Sequence, residues 1–92
     1  DYFQAIKWYE KSAEAGYSAA QNNLGLMYSS GNGVDLDYEK ALRLLNKAAK
    51  FENAFAQYNL GIMYYNGEGV EQNYKKAVEW YKKSAEAVIC LS

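Results

Sequence analysis

The chain has 92 residues, a net charge of −1, half its residues apolar, and neither histidine nor proline. That balance does not fit a disordered tail, and it offers no basic excess for nucleic acid or an anionic membrane surface. Without histidine there is no imidazole base, no Ser-His-Asp constellation and no His-based metal site. Cys90 has no second cysteine to pair with, and the longest apolar run, Ala87 to Leu91, is far short of the roughly 20 residues of a membrane helix.

In chain order, residues 2–15 read as a helix that opens behind Asp1, a good cap, and stops at Gly16. A second helix follows from Ser18 to Ser29, with Ala20, Leu24, Met27 and Tyr28 at helical spacing. Ser18 followed by Gln21 has the form of a capping box at its start. Gly31-Asn32-Gly33 ends it, because glycine takes positive φ without a Cβ clash, and Val34 is placed to plug the gap beneath. A third helix begins behind Asp37 and carries Tyr38, Ala41, Leu42, Leu45, Ala48 and Ala49 as its apolar stripe.

The remainder repeats this pattern with a period of 36. Ala5, Ala41 and Ala77 fall in register, as do Lys11, Lys47 and Lys83, and Tyr2, Tyr38 and Tyr74. Asn23-Leu24-Gly25 matches Asn59-Leu60-Gly61, Met27-Tyr28 matches Met63-Tyr64, and Gly31, Gly33 and Val34 match Gly67, Gly69 and Val70. The expected fold is therefore all-α: an α-solenoid of antiparallel helix hairpins with five helices. Its units are a lone second helix in 1–16, full repeats in 17–52 and 53–88, and a tail in 89–92. Gly25 and Gly61, with Ala20, Ala56, Ala41 and Ala77, are read as points of close helix approach. Trp8, Tyr9, Trp80 and Tyr81 are read as filling wider gaps, with Leu44-Leu45 in their place in the middle unit.

These residues resemble the Sel1-like repeat family, a branch of the tetratricopeptide-type α-solenoids. The resemblance lies in Ala20-Gln21, Asn23-Leu24-Gly25, Met27-Tyr28, Gly31-x-Gly33-Val34, Asp37, Lys40-Ala41 and Lys47-Ala48-Ala49, and it recurs from Ala56 to Ala85 with Trp80-Tyr81. It implies an adaptor or scaffold that binds other proteins, with first helices lining a concave groove and second helices forming the back. Two features depart from the family: there is no cysteine pair in each repeat, and Glu52 and Val88 stand where Gly16 stops its helix.

Charge distribution agrees with that division. All ten Lys and Arg residues lie in the second helices, while 17–30 and 53–66 contain no charged residue. Off the core stripe of the first helices, Asn22, Asn23, Leu26, Phe55, Tyr58, Asn59, Ile62 and Tyr65 are the candidate protein-binding positions. The second set is apolar and aromatic, the composition of interaction hot spots. Packing against a neighbouring helix is the competing reading for Phe55, Tyr58, Ile62 and Tyr65, with exposure favoured for Tyr65 near the helix end, and Asn23 and Asn59 are equally suited to bonding a peptide backbone or the array itself.

No catalytic, metal or cofactor site is expected. Cys90 has no histidine partner and lies in an apolar tail, the Gly-x-Gly loops lack the Lys-Ser/Thr of a phosphate loop, and Asp35, Asp37 and Glu39 lack calcium-loop spacing. The function expected is a protein-interaction scaffold for a protein or peptide segment, with no cofactor, no nucleic acid and no membrane partner. The alternative is a structural module that self-associates through its end helices, the last of which is expected to run past Ala87 and to bury its apolar tail.

Overall fold

The computed structural model describes residues 2–91, and among these it contains five α-helices and no strand. They are α1 (Tyr2–Glu14), α2 (Ser18–Ser30), α3 (Tyr38–Lys50), α4 (Ala54–Asn66) and α5 (Tyr74–Leu91). Each packs on the next, and α2 also meets α4, whereas α1, α3 and α5 make no comparable approach to one another among the described residues. The shortest dimension is 18 Å, about two helix diameters at ~10 Å each. The first helices α2 and α4 thus form one layer and the second helices the other.

Both long turns are built from the same parts. Gly31 and Gly67 take the left-handed conformation at φ 72°, each donating its N–H to the carbonyl of Met27 or Met63. Gly33 and Gly69 follow at φ 76° and 74°, as their sequence positions require. The N–H of Asp37 then donates to the Tyr28 carbonyl and that of Asn73 to the Tyr64 carbonyl, both at 2.9 Å. Asp37 Oδ1 and Asn73 Oδ1 accept from the N–H groups of Lys40 and Lys76. Those lysines lay their ammonium groups 4.9 and 5.1 Å from the ring centres of Tyr28 and Tyr64. The recurring Tyr, cap and Lys-Ala of the sequence are therefore one closure device, joining the end of a first helix to the start of its second. The expected cap at Asp1 lies outside the described residues.

The short turns between units carry a Schellman pattern. Tyr17 N–H donates to Ser12 O and Gly16 N–H to Ala13 O; Asn53 N–H donates to Ala48 O and Glu52 N–H to Ala49 O. Gly16 has φ 96° and Glu52 φ 57°. Glu52 thus makes the left-handed turn without glycine, against a steric cost of roughly 1–2 kcal/mol. At the third such position Val88 continues the helix, and α5 runs 18 residues where the other helices have 13.

Two expectations are corrected. Ser18 is not the cap of α2: Tyr17 occupies that position without a side-chain bond, and Ser18 is already helical. Gln21 turns away from the helix start and donates from Nε2 to Ala13 O at 3.1 Å, as Gln57 does to Ala49 O at 3.3 Å. The glutamines fasten each first helix to the carbonyl end of the preceding second helix, adding a second donor to carbonyls that Gly16 N–H and Glu52 N–H also reach. Their Oε1 atoms stay buried without a protein partner. Trp8 fills no gap either: it is 64% exposed, because α1 has only α2 as a packed neighbour in this chain.

The core is Ala41, Leu45, Ala48, Ala49, Ala56, Leu60 and Met63, with Tyr28, Tyr38, Leu42 and Trp80 against it. A Cβ on Gly25 would lie 3.0 Å from Leu45 Cγ and 3.3 Å from Ala41 O; on Gly61 it would lie 2.6 Å from the Tyr81 ring and 3.2 Å from Ala77 O. Glycine at these places lets α2 ride directly on α3 and α4 on α5. The helical extension beyond Ala87 is present, but Val88 is exposed, and the side chains of Ile89, Cys90 and Leu91 lie outside the described residues.

Candidate protein-binding face

The solvent side of α2 and α4 is held together by amides. Asn59 Nδ2 donates to Asn22 Oδ1 at 3.0 Å, and Asn53 Nδ2 donates to Ser18 Oγ at 3.3 Å while its Oδ1 caps α4 through Ala56 N–H. Asn22 is accordingly buried, and Asn59 half-buried. Of the two asparagines in repeat register, Asn59 bonds its neighbouring unit and Asn23 is exposed.

The apolar positions lie beside this seam. Phe55 is 74% exposed, Tyr58 and Tyr65 are each 52% exposed, Leu26 is at the margin of exposure and Ile62 is half-buried. Phe55, Tyr58, Ile62 and Tyr65 are spaced three, four and three residues apart along one flank of α4. Two of the rings are propped from behind by α5: Tyr58 stands 5.4 Å from Tyr81 and Tyr65 4.9 Å from Tyr74, centre to centre and tilted. Gln72 Nε2 donates to both Tyr65 O and Tyr74 Oη, fixing the second pair against the loop. Burial raises the Tyr81 phenol above its ordinary value of 10.0, and Tyr58 and Tyr65 push in the same direction. At neutral pH the Tyr81 phenol is therefore uncharged. Neither α2 nor α4 carries an ionisable Lys, Arg, Asp or Glu. The face therefore offers aromatic area and amide or hydroxyl bonds.

A family model for the Sel1 repeat matches residues 1–17, 18–50 and 54–87. The chain belongs to the Sel1 repeat family. Two solved structures share the arrangement. A Sel1 repeat protein from Oxalobacter formigenes is 39% identical, with a TM-score of 0.88 over 95% of this chain and 36% of its own. The second is c5321, described as a protective antigen present in uropathogenic Escherichia coli strains displaying an SLR fold; it is 43% identical, with a TM-score of 0.89 over 94% of this chain and 18% of its own. This chain thus spans about a third and about a fifth of the lengths of those two proteins. No curated protein matches it.

Sel1 repeats are in general protein-interaction scaffolds on a non-catalytic fold. Among the described residues no group of three His, Cys, Asp or Glu is placed to hold a metal, and no helix is long and apolar enough to cross a membrane. Sequence reasoning passed over Tyr74 and Tyr81 as parts of this face. Tyr74 shares its register with Tyr38, which is half-buried and bonds Glu68 through its hydroxyl. That shared register hid the exposed role of Tyr74. Tyr81 was read as a gap filler, and only the packing shows its ring behind Tyr58.

Proposed function

We infer that this Sel1 array is a protein-binding scaffold whose α2–α4 face takes a segment of a partner protein. The observation that carries the reading is the row Phe55, Tyr58, Ile62 and Tyr65 on a charge-free helix, with two of its rings braced by α5. Braced rings lose little freedom on binding, which is what makes large aromatic contacts effective anchors. The approach of α2 to α4, without a like approach among the second helices, supports placing the first helices on the inner side of a curve. Asn23 and Leu26 extend the surface onto α2, whereas Asn22 and Asn59 serve the seam between units. The unit boundaries that fit this reading are 1–16, 17–52, 53–88 and a tail from 89. No catalysis, cofactor or nucleic acid enters it.

The test is capture of the natural partner with the intact chain and with a Phe55→Ser/Tyr58→Ser variant, at low and at high salt. Retention by wild type at both salt levels and loss in the variant is the expected result. Equal capture by the variant, or release by salt alone, would overturn it. A second reading, self-association through the end helices, is favoured by the exposed Trp8 on α1 and Val88 on α5. Light scattering that shows a mass rising with concentration, and suppressed by Trp8→Ser, would support it over the first.

A further inference from the structure

On the other side of α2, where α1 and α3 stand apart, lies a cleft of about 170 Å³. Its apolar lining includes Leu24 and Tyr28 of α2 and Leu44 of α3. The next unit shows what this position can hold. Residue 80 is the counterpart of residue 44, and there Trp80 packs against the buried cluster with Lys83 Nζ 4.8 Å above its ring centre. The surroundings correspond: Leu60 and Tyr64 stand for Leu24 and Tyr28, and Lys83 for Lys47. With Leu44 in place of tryptophan, the cleft lacks its ring. Lys47 has no ring or ion-pair partner among the described residues. A space of roughly 150 Å³ is enough to admit benzene, so in size this open cleft, apolar at its base and charged on its walls, can seat an aromatic ring.

Charge sets which ring. Lys40, Arg43 and Lys47 line the α3 wall of the cleft. They are spaced three and four residues apart, along one flank of the helix. Lys40 is engaged over Tyr28, and among the described residues Arg43 pairs with Glu39 at 3.9 Å, both side chains largely exposed. Glu10 and Glu14 of α1 stand on the opposite wall. An anion beside the ring would be drawn to the α3 side. We propose that this cleft receives an aromatic side chain of a partner polypeptide, seated beside Leu44 and beneath Lys47 as Trp80 sits beneath Lys83, with an adjacent carboxylate of the partner pairing with Arg43 or Lys47. This second surface shares no residue with the Phe55, Tyr58, Ile62 and Tyr65 row and differs from it in being charged on its rim.

The experiment titrates the peptide acetyl-Glu-Trp-Glu-amide into the full chain and follows backbone amide signals by NMR. Shifts are expected at Leu24, Tyr28, Leu44 and Lys47, with a dissociation constant on the order of a millimolar. Acetyl-Gln-Trp-Gln-amide should bind roughly threefold to tenfold more weakly, the scale of one or two exposed ion pairs. Added salt should shrink that difference. Leu44→Trp should abolish the shifts by filling the cleft, and Leu44→Phe, a smaller change, should weaken them if the tryptophan variant folds poorly. Shifts that map to Tyr58 and Tyr65, that survive both Leu44 substitutions in a folded chain, or that fail to appear at tenfold the expected constant would overturn the proposal.

Discussion

Segments 17–52 and 53–88, aligned on the 36-residue period, agree at the long turn and its caps and differ where a side chain faces outward or fills space between helices. Both have left-handed glycines at the long turn, an acceptor side chain at the start of the second helix, a lysine over a tyrosine ring, and a glutamine reaching back eight residues. Their differences include Tyr17 and Asn53, Asn22 and Tyr58, Leu44 and Trp80, and Leu45 and Tyr81. The first group makes the array; the second gives each unit its own surface and its own cleft. Chemistry on this scaffold resides in the differences.

The comparison can be broken most severely at a turn. A Cβ on Gly69 would fall 2.6 Å from Tyr38 Cβ with φ at +74°, so Gly69→Ala combines backbone strain with a collision against the preceding unit. It should cost about 3 kcal/mol. Gly31→Ala meets nothing nearer than 3.6 Å and should cost only the strain, roughly 1–2 kcal/mol. Chemical denaturation of both variants measures the gap, and equal losses would show that the collision is relieved without cost.

Within the helices, Gly61→Ala should destabilise by about 2 kcal/mol, since its methyl would overlap the Tyr81 ring and press on Ala77 O. Gly25→Ala faces Leu45 Cγ at 3.0 Å and should be milder. Adding Tyr81→Leu, which gives the second unit the residue of the first, should recover part of the Gly61→Ala loss. A coupling under about 0.5 kcal/mol in that double-mutant cycle would show that the ring is not the obstacle.

The unit differences can also be exchanged. Asn53→Ala removes the cap on α4 and should cost about 1 kcal/mol, and Tyr17→Asn should return a similar amount to α2, which has no side-chain cap. Thermal unfolding of the two variants should move in opposite directions. Glu52→Gly, which makes the second short turn like the first, should stabilise by only about 0.5 kcal/mol, because relief of the left-handed strain is offset by glycine's greater unfolded freedom.

The smallest effect concerns alkaline pH. Burial, then Tyr58 and Tyr65, hold the Tyr81 phenol above 10.0 in the native chain. Once pH exceeds that ordinary value the unfolded chain loses the proton first, so stability is whole below pH 10.0 and falls as pH rises through the native value. Melting temperatures on either side of pH 10.0 should show the decline, and Tyr81→Phe should flatten it.

Much of this was legible in the chain alone. The five helices, the positive φ of the turn glycines, the cap at Asp37 and the continuation of α5 past Ala87 depend on neighbours within a few residues. Local steric and hydrogen-bonding rules decide such features, and a repeated sequence states each rule twice. The neutrality of the first helices was equally plain, because charge is a matter of composition.

Packing decided the rest. Whether Ser18 or Tyr17 begins α2 turned on what Gln21 could reach, and it reaches the carbonyl of Ala13, in another helix. Asn22 is buried because Asn59 of the following unit meets it, a pairing that helical spacing within one helix cannot express. Tyr38 and Tyr74 share a register, yet the loop carrying Glu68 and Gly69 lies against Tyr38 while Tyr74 remains exposed. The glycine turns were legible because positive φ is settled by the residue that adopts it, whereas the left-handed Glu52 was not, and exposure is settled by whichever residues from other helices arrive on the same ground.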